Sequence, residues 1–143
     1  MKHVLRLTLL VFLLVIATGG EWVYRSFLRP VDPLQPDVIK LAQYFDQQGL
    51  HVRPYAIRHG FPHSEVVASA AFEIIGFPLP VAFDVCPNVA AADAHYRDVI
   101  ASPNLTHPMR NGLLVMNLPM WGSDTGEMAA KVENIFASYQ DGK

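Results

Sequence analysis

One apolar stretch near the start of the chain, Leu7 to Ala17, dominates the pattern of hydrophobic and polar positions. Lys2 and Arg6 precede it and Gly19-Gly20 follow it, an arrangement typical of a secretory leader. Extended to residues 4–24 and folded as a helix, the segment would be about 31 Å long, which is enough to cross the core of one bilayer.

This pattern permits two interpretations of residues 1–24. They are either an uncleaved membrane anchor, a transmembrane helix of a single-pass protein, or a signal peptide. Trp22 and Tyr24 followed by Arg25 resemble an interfacial belt with a basic flank, which favours the anchor. We expect the rest of the chain to lie on the extracytoplasmic side of the membrane. After cleavage of a leader it would instead be secreted or periplasmic.

Beyond a proline-containing linker, residues 25–36, helical periodicity begins. Asp32-Pro33 offers an N-cap acceptor followed by proline at the first helical position. Apolar residues then recur at helical spacing, at Leu34, Val38, Leu41 and Phe45. Gly49 is placed to end this helix in a left-handed conformation.

Strands are predicted in four places. Leu50–Ile57 has imperfect alternation, and Pro54 assigns it to a sheet edge or a bulge. Glu65–Ile75 alternates clearly, Val81–Val85 is a possible short strand, and Leu113–Leu118 is an apolar run typical of a buried strand.

Two further helices complete the pattern. Asn88 is an N-cap candidate for the first, whose apolar stripe is Val89, Ala92, Tyr96, Val99 and Ile100. Asp124 and Glu127 have the spacing of a capping box for the second. Its apolar stripe is Met128, Val132, Ile135, Phe136 and Tyr139.

These elements predict an α+β fold. Residues 37–143 would form one small domain with three helices, in which an antiparallel sheet of three or four strands carries the helices on one face. A ferredoxin-like or related sandwich, preceded by the N-terminal apolar helix, satisfies this order.

Composition excludes several classes of protein. The chain has a formal net charge of −2 and no basic stripe, which argues against nucleic acid as a partner. Cys86 is the only cysteine, so a disulfide-stapled scaffold and a cysteine-rich zinc site are both excluded.

The best cluster of metal-ligating types is His59, His63 and Glu65. Two histidines four residues apart share a face only on a helix, and Gly60 and Pro62 make a helix improbable here. The three residues are therefore weak metal-site candidates, and an exposed loop with two unrelated histidines is the alternative.

Cys86 is the candidate for a reactive thiol, because a helix capped by Asn88 would place it just outside a helix N-terminus, where thiol pKa values fall. His95 is the nearest base in sequence but would lie roughly 10 Å away by helical rise. The alternative is a buried, inert side chain. The group Asp93, His95, Arg97 and Asp98 is expected on the solvated face of that helix.

Trp121, in a loop with Pro119 and Met120, is the candidate for a protein-partner contact. The chain contains no phosphate-binding, nucleophile-elbow or zinc-protease motif. We therefore expect a non-enzymatic accessory or binding module without a cofactor, which contacts the membrane through residues 4–24. The alternative is an exported protein that depends on a metal at His59, His63 and Glu65 or on the thiol of Cys86.

Overall fold

The structure is a computed structural model of the 143-residue chain, and it describes residues 33–57, 65–101, 106–119 and 126–140. Three helices and five strands lie in these ranges. In chain order they are α1 (Pro36–Gln47), β1 (Val52–Ile57), β2 (Ala68–Ile74), β3 (Val81–Val85), α2 (Val89–Ala101), β4 (Thr106–Asn111), β5 (Leu114–Pro119) and α3 (Gly126–Ser138).

The five strands form one sheet in the order β1-β2-β3-β5-β4, and every neighbouring pair is antiparallel. The α+β class and the antiparallel sheet are therefore confirmed, whereas the count of three or four strands was short by β4. The finer prediction, a ferredoxin-like sandwich behind an N-terminal apolar helix, is not confirmed. Residues 1–32 lie outside the described residues, and among the described helices none is long and apolar enough to cross a bilayer.

Both edge strands contain a proline, which cannot donate a ladder hydrogen bond. Pro54 lies in β1, so its assignment to an edge is confirmed, and Pro108 lies in β4. At the start of β1 the backbone N–H of Val52 donates to the Asp46 carboxylate at 3.1 Å. These features reduce the pairing capacity of the edges, a common protection against edge-to-edge association.

The apolar face of the sheet packs against α1 and α3. Alternation in the strands places Ala70, Phe83 and Met116 side by side on this face, because they are register partners on β2, β3 and β5. Phe45 of α1 meets Phe83 edge to face, and Phe136 of α3 contacts the same ring. Burial of this cluster supplies most of the apolar driving force for folding.

The two helices on this face broadly follow their predicted patterns. The apolar stripe of α3 is buried or half-buried, as predicted, although Asp124 of the proposed capping box lies outside the described residues. Helix α1 begins at Pro36 rather than at Asp32-Pro33, with Gln35 before it making no side-chain cap. Gly49 follows its end with φ +77°, which confirms the left-handed termination.

Helix α2 packs on the opposite face of the sheet, so the prediction of helices on one face is wrong for this element. Its buried residues are Ala92 and His95, and Ala92 packs with Val115, which points away from Met116. Val89 and Ile100, predicted to be part of its apolar stripe, are both more than half exposed.

A tight turn joins β4 and β5 through Gly112, which has φ +58° at the first central position of a two-residue hairpin. Asn111, immediately before it, donates from Nδ2 to the backbone carbonyls of Phe136 and Tyr139 at 2.6 and 2.7 Å. Asn111 therefore adds a donor at the C-terminal end of α3, to one carbonyl in its last turn and one just beyond it.

Candidate functional site

The most polar part of the interior lies between the sheet and α2. Asp84 is the penultimate residue of β3 and lies on the face opposite Phe83, and Ser69 is its register partner on β2. Asn117 lies on β5, two residues beyond Val115, the register partner of Asp84 on that side. Because the side chains of a strand alternate between faces, the sequence of these strands brings all three polar groups to one side of the sheet.

Helix α2 adds the fourth group. The Asn88 side chain accepts a hydrogen bond from the backbone N–H of Ala91 at 2.9 Å, which confirms Asn88 as the N-cap. The helix thus starts close behind β3 and lies back over the sheet. His95, one turn beyond Ala92, points inward and is only 7% exposed. The prediction that His95 lies on the solvated face of α2 is therefore wrong.

Asp84 is the centre of the resulting network. Its Oδ1 accepts from the Ser69 hydroxyl at 2.5 Å, and its Oδ2 lies 2.8 Å from His95 Nε2. Asn117 Nδ2 is a third donor at a longer 3.4 Å from Oδ2. A buried carboxylate is tolerated when hydrogen bonds replace its hydration, and Ser69, His95 and Asn117 surround Asp84 with such partners.

The order of the groups argues against a hydrolase site. In a serine–histidine–acid triad the imidazole lies between hydroxyl and carboxylate, so that it can take the proton of the serine. Here the carboxylate lies between the other two, and Ser69 donates to Asp84 rather than to His95. The network therefore joins α2 to the sheet, with Asp84 rather than His95 as the acceptor of the Ser69 hydroxyl.

Cys86 lies next to this network, at the end of β3. It is 1% exposed and packs with Ala92 and Val115. Burial, with the nearby negative charges of Asp84 and Glu65, raises the pKa of the Cys86 thiol from 9.0 to about 11. Burial and acidic neighbours outweigh the helix N-terminus, and both disfavour the thiolate that a reactive cysteine needs. The reactive-thiol hypothesis stays a prediction.

The candidate metal ligands are described only in part. His59 and His63 lie outside the described residues, and Glu65 is a half-buried residue before β2 whose charge acts on Cys86. Within the ranges that the structure describes, no group of three or more His, Cys, Asp or Glu side chains is arranged to hold a metal ion. The metal hypothesis therefore stays a prediction, as does the partner-contact role of Trp121, which also lies outside these ranges.

An ion pair also joins α2 to the sheet nearer the surface. Arg110 of β4 lies 2.9 Å from Asp93 of α2. About half of the Asp93 side chain is exposed, in line with the solvated position predicted for it. The sequence pattern did not indicate Arg110 as its partner. The docking of α2 thus depends on two polar pairs and a small apolar cluster, whereas α1 and α3 each bury several large apolar residues.

Two surface features lie apart from the polar centre. An open groove of about 500 Å³ runs between the end of α1 and α3, with a mixed polar lining that includes Gln48, Lys131 and Asn134. The turn between β2 and β3, residues 75–80, is instead wholly apolar in its side chains. It holds Ile75, the most exposed of the large hydrophobic residues that the structure describes, at 77%.

Comparison with protein-family models, with curated proteins and with solved structures gives no match to this chain.

Proposed function

We propose that the protein is a non-enzymatic binding module held at a membrane by residues 4–24, with its folded domain on the extracytoplasmic side. The observation that carries the binding role is the exposure of the turn at residues 75–80, hereafter the apolar turn. The Ser69 hydroxyl and the His95 imidazole, by contrast, are hydrogen-bonded to Asp84 in the interior.

The apolar turn exposes two large apolar side chains although it lies beside the main core. Ile75 and Leu79 are 77% and 38% exposed, while Phe77 between them is buried in the main core. The N–H of Phe77 donates to the carbonyl of Ile74 at 3.0 Å, and Gly76 adopts φ +89° against Met128 of α3. Phe77 thus fixes the turn while its neighbours face solvent. Apolar side chains held outward in this way are typical of contact surfaces.

The described residues on either side of the segment that contains Trp121 lie near the same end of the sheet. The residues that flank this segment in the chain are Pro119 at the end of β5 and Gly126 at the start of α3. Met128, in the first turn of α3, lies beside Gly76 of the apolar turn. We therefore propose that Trp121 contributes to the same contact surface.

The membrane attachment rests on sequence. The run from Leu7 to Ala17 carries no charged residue, and residues 4–24 have the length of one bilayer crossing. Trp22 and Tyr24 lie at the end of this segment, where amphipathic aromatic side chains favour the membrane–water interface.

Site-specific photo-crosslinking in cells of the source organism tests the contact surface. A photoreactive amino acid replaces Ile75 in the full chain, and the matched control replaces Ile100, which is 54% exposed on α2. We expect discrete adducts, to lipid or to protein, from position 75 and none above background from position 100. Equal yields at the two positions, or none at either, would contradict a contact role for the apolar turn.

A further inference from the structure

The apolar turn is too small to be a protein interface by itself. Stable protein–protein interfaces bury roughly 800 Å² on each partner. Ile75 and Leu79 are its only exposed large hydrophobic side chains, and they supply a small part of that area. A contact of this size is weak, so it forms to a large extent only where its target is present at a high effective concentration.

The linker to the proposed anchor provides that proximity. Eight residues, 25–32, separate Tyr24 from Pro33, the first described residue, and they span at most about 32 Å. A domain on so short a tether meets the bilayer surface at an effective concentration on the order of millimolar. A weak apolar contact is then sufficient to dock it.

From this geometry we propose that the apolar turn inserts into the interfacial region of the lipid bilayer that holds the chain. The inference rests on the proposed membrane attachment. Ile75 and Leu79 enter the boundary between headgroups and acyl chains, while the buried Phe77 keeps the turn in shape. The occupant of the surface is therefore the lipid itself.

The surrounding charges indicate what kind of lipid is needed. No residue from Ile74 to Phe83 has a charged side chain. Arg53, at the adjoining end of β1, lies 3.4 Å from Glu73 of β2, so its charge is partly balanced. Without a basic cluster among the described residues beside the turn, the contact gains little from anionic lipids. We expect it to form on zwitterionic phosphatidylcholine and to be insensitive to ionic strength.

Fluorescence of a probe at position 75 tests this inference. The full chain is reconstituted into phosphatidylcholine vesicles, with Cys86→Ala to remove the native thiol and Ile75→Cys labelled with an environment-sensitive fluorophore. The control carries the same label at Ile100→Cys, an exposed position on α2. Both positions are more than half exposed, so labelling does not disturb the core. Flotation of the vesicles reports attachment of the chain independently of the probe.

We expect the chain to float with the vesicles, and the probe at position 75 to shift to shorter wavelength. Lipids with a nitroxide on the acyl chain should quench it at least twofold more than the probe at position 100, at low and at high salt. Flotation with equal quenching at both positions would overturn the lipid contact alone. A shift that depends on protein concentration and resists lipid quenching would show that a second copy covers the turn. Chain that fails to float would overturn the attachment as well.

Discussion

The His95–Asp84 pair provides a direct test of how α2 is held. We consider His95→Phe, which keeps a ring of similar size but removes the donor to the carboxylate. Asp84 then stays buried with Ser69 and the more distant Asn117 as its donors among the contacts described above. Removing one partner of a buried pair costs about 3–5 kcal/mol, because the other charge is left uncompensated. We expect the lower end of this range, since two donors persist.

Cys86 offers the assay, because it is 1% exposed beneath α2 and must be uncovered before a thiol reagent can reach it. Under native conditions its labelling rate is proportional to the equilibrium constant for opening. A cost of about 3 kcal/mol raises that constant by a factor of roughly 100. Labelling of the urea-unfolded variants, which should be identical, shows that the intrinsic reactivity of the thiol is unchanged.

Two further variants separate charge from packing. Asp93→Ala breaks the more exposed pair with Arg110, and such pairs contribute about 0–1 kcal/mol, so labelling should rise less than about fivefold. Asp84→Asn added to His95→Phe removes the uncompensated charge, so the double variant should label more slowly than His95→Phe alone. Labelling of His95→Phe no faster than Asp93→Ala, or no rescue in the double variant, would refute the role assigned to the pair.

Three other outcomes are expected. Asn111→Ala removes the side-chain donor to the carbonyls of Phe136 and Tyr139, so it should lower the free energy of unfolding by about 1–2 kcal/mol in urea titrations; an unchanged midpoint would contradict the capping role. Because the native state holds the Cys86 proton to higher pH than the unfolded chain, stability should fall between pH 9 and about 11, by roughly 2–3 kcal/mol more than in Cys86→Ala; parallel pH profiles would contradict the raised pKa. An equimolar addition of Zn²⁺ should shift the melting temperature by less than about 1 °C, because a protein without a zinc site gains no binding free energy in its native state. A larger shift that disappears in His59→Ala/His63→Ala would favour the metal-dependent alternative.

The pattern of apolar residues along the chain predicted the strands in which those residues alternate. Strand β2 carries large apolar residues such as Phe72 on the core face and smaller ones such as Ser69 on the other, and this alternation marks the strand although both residues are buried. Strand β4 has no such alternation. Met109 packs towards the main core while Arg110 pairs with Asp93, so no simple period marks the strand.

The hydrogen-bond network around Asp84 could not be predicted from the sequence for a related reason. The charged neighbours Asp93 and Arg97 suggest that His95 is solvated, whereas Asp84 across the helix–sheet interface provides a polar partner that makes its burial favourable. Two local features pointed to it: Asp84 lies within an otherwise apolar strand, and His95 follows Ala92 by one helical turn. Their pairing depends on the direction in which α2 returns over the sheet, and spacing along the chain does not give that direction.

The most direct test of the central claim combines cell fractionation with intact-mass measurement of the full chain. If residues 4–24 hold the domain at a membrane, the protein will resist extraction with alkaline carbonate and its mass will include Met1 to Ile16. Protein in the soluble exported fraction, with a mass that begins near Thr18 or Gly20, would contradict the anchor. It would show that the apolar segment is a cleaved leader.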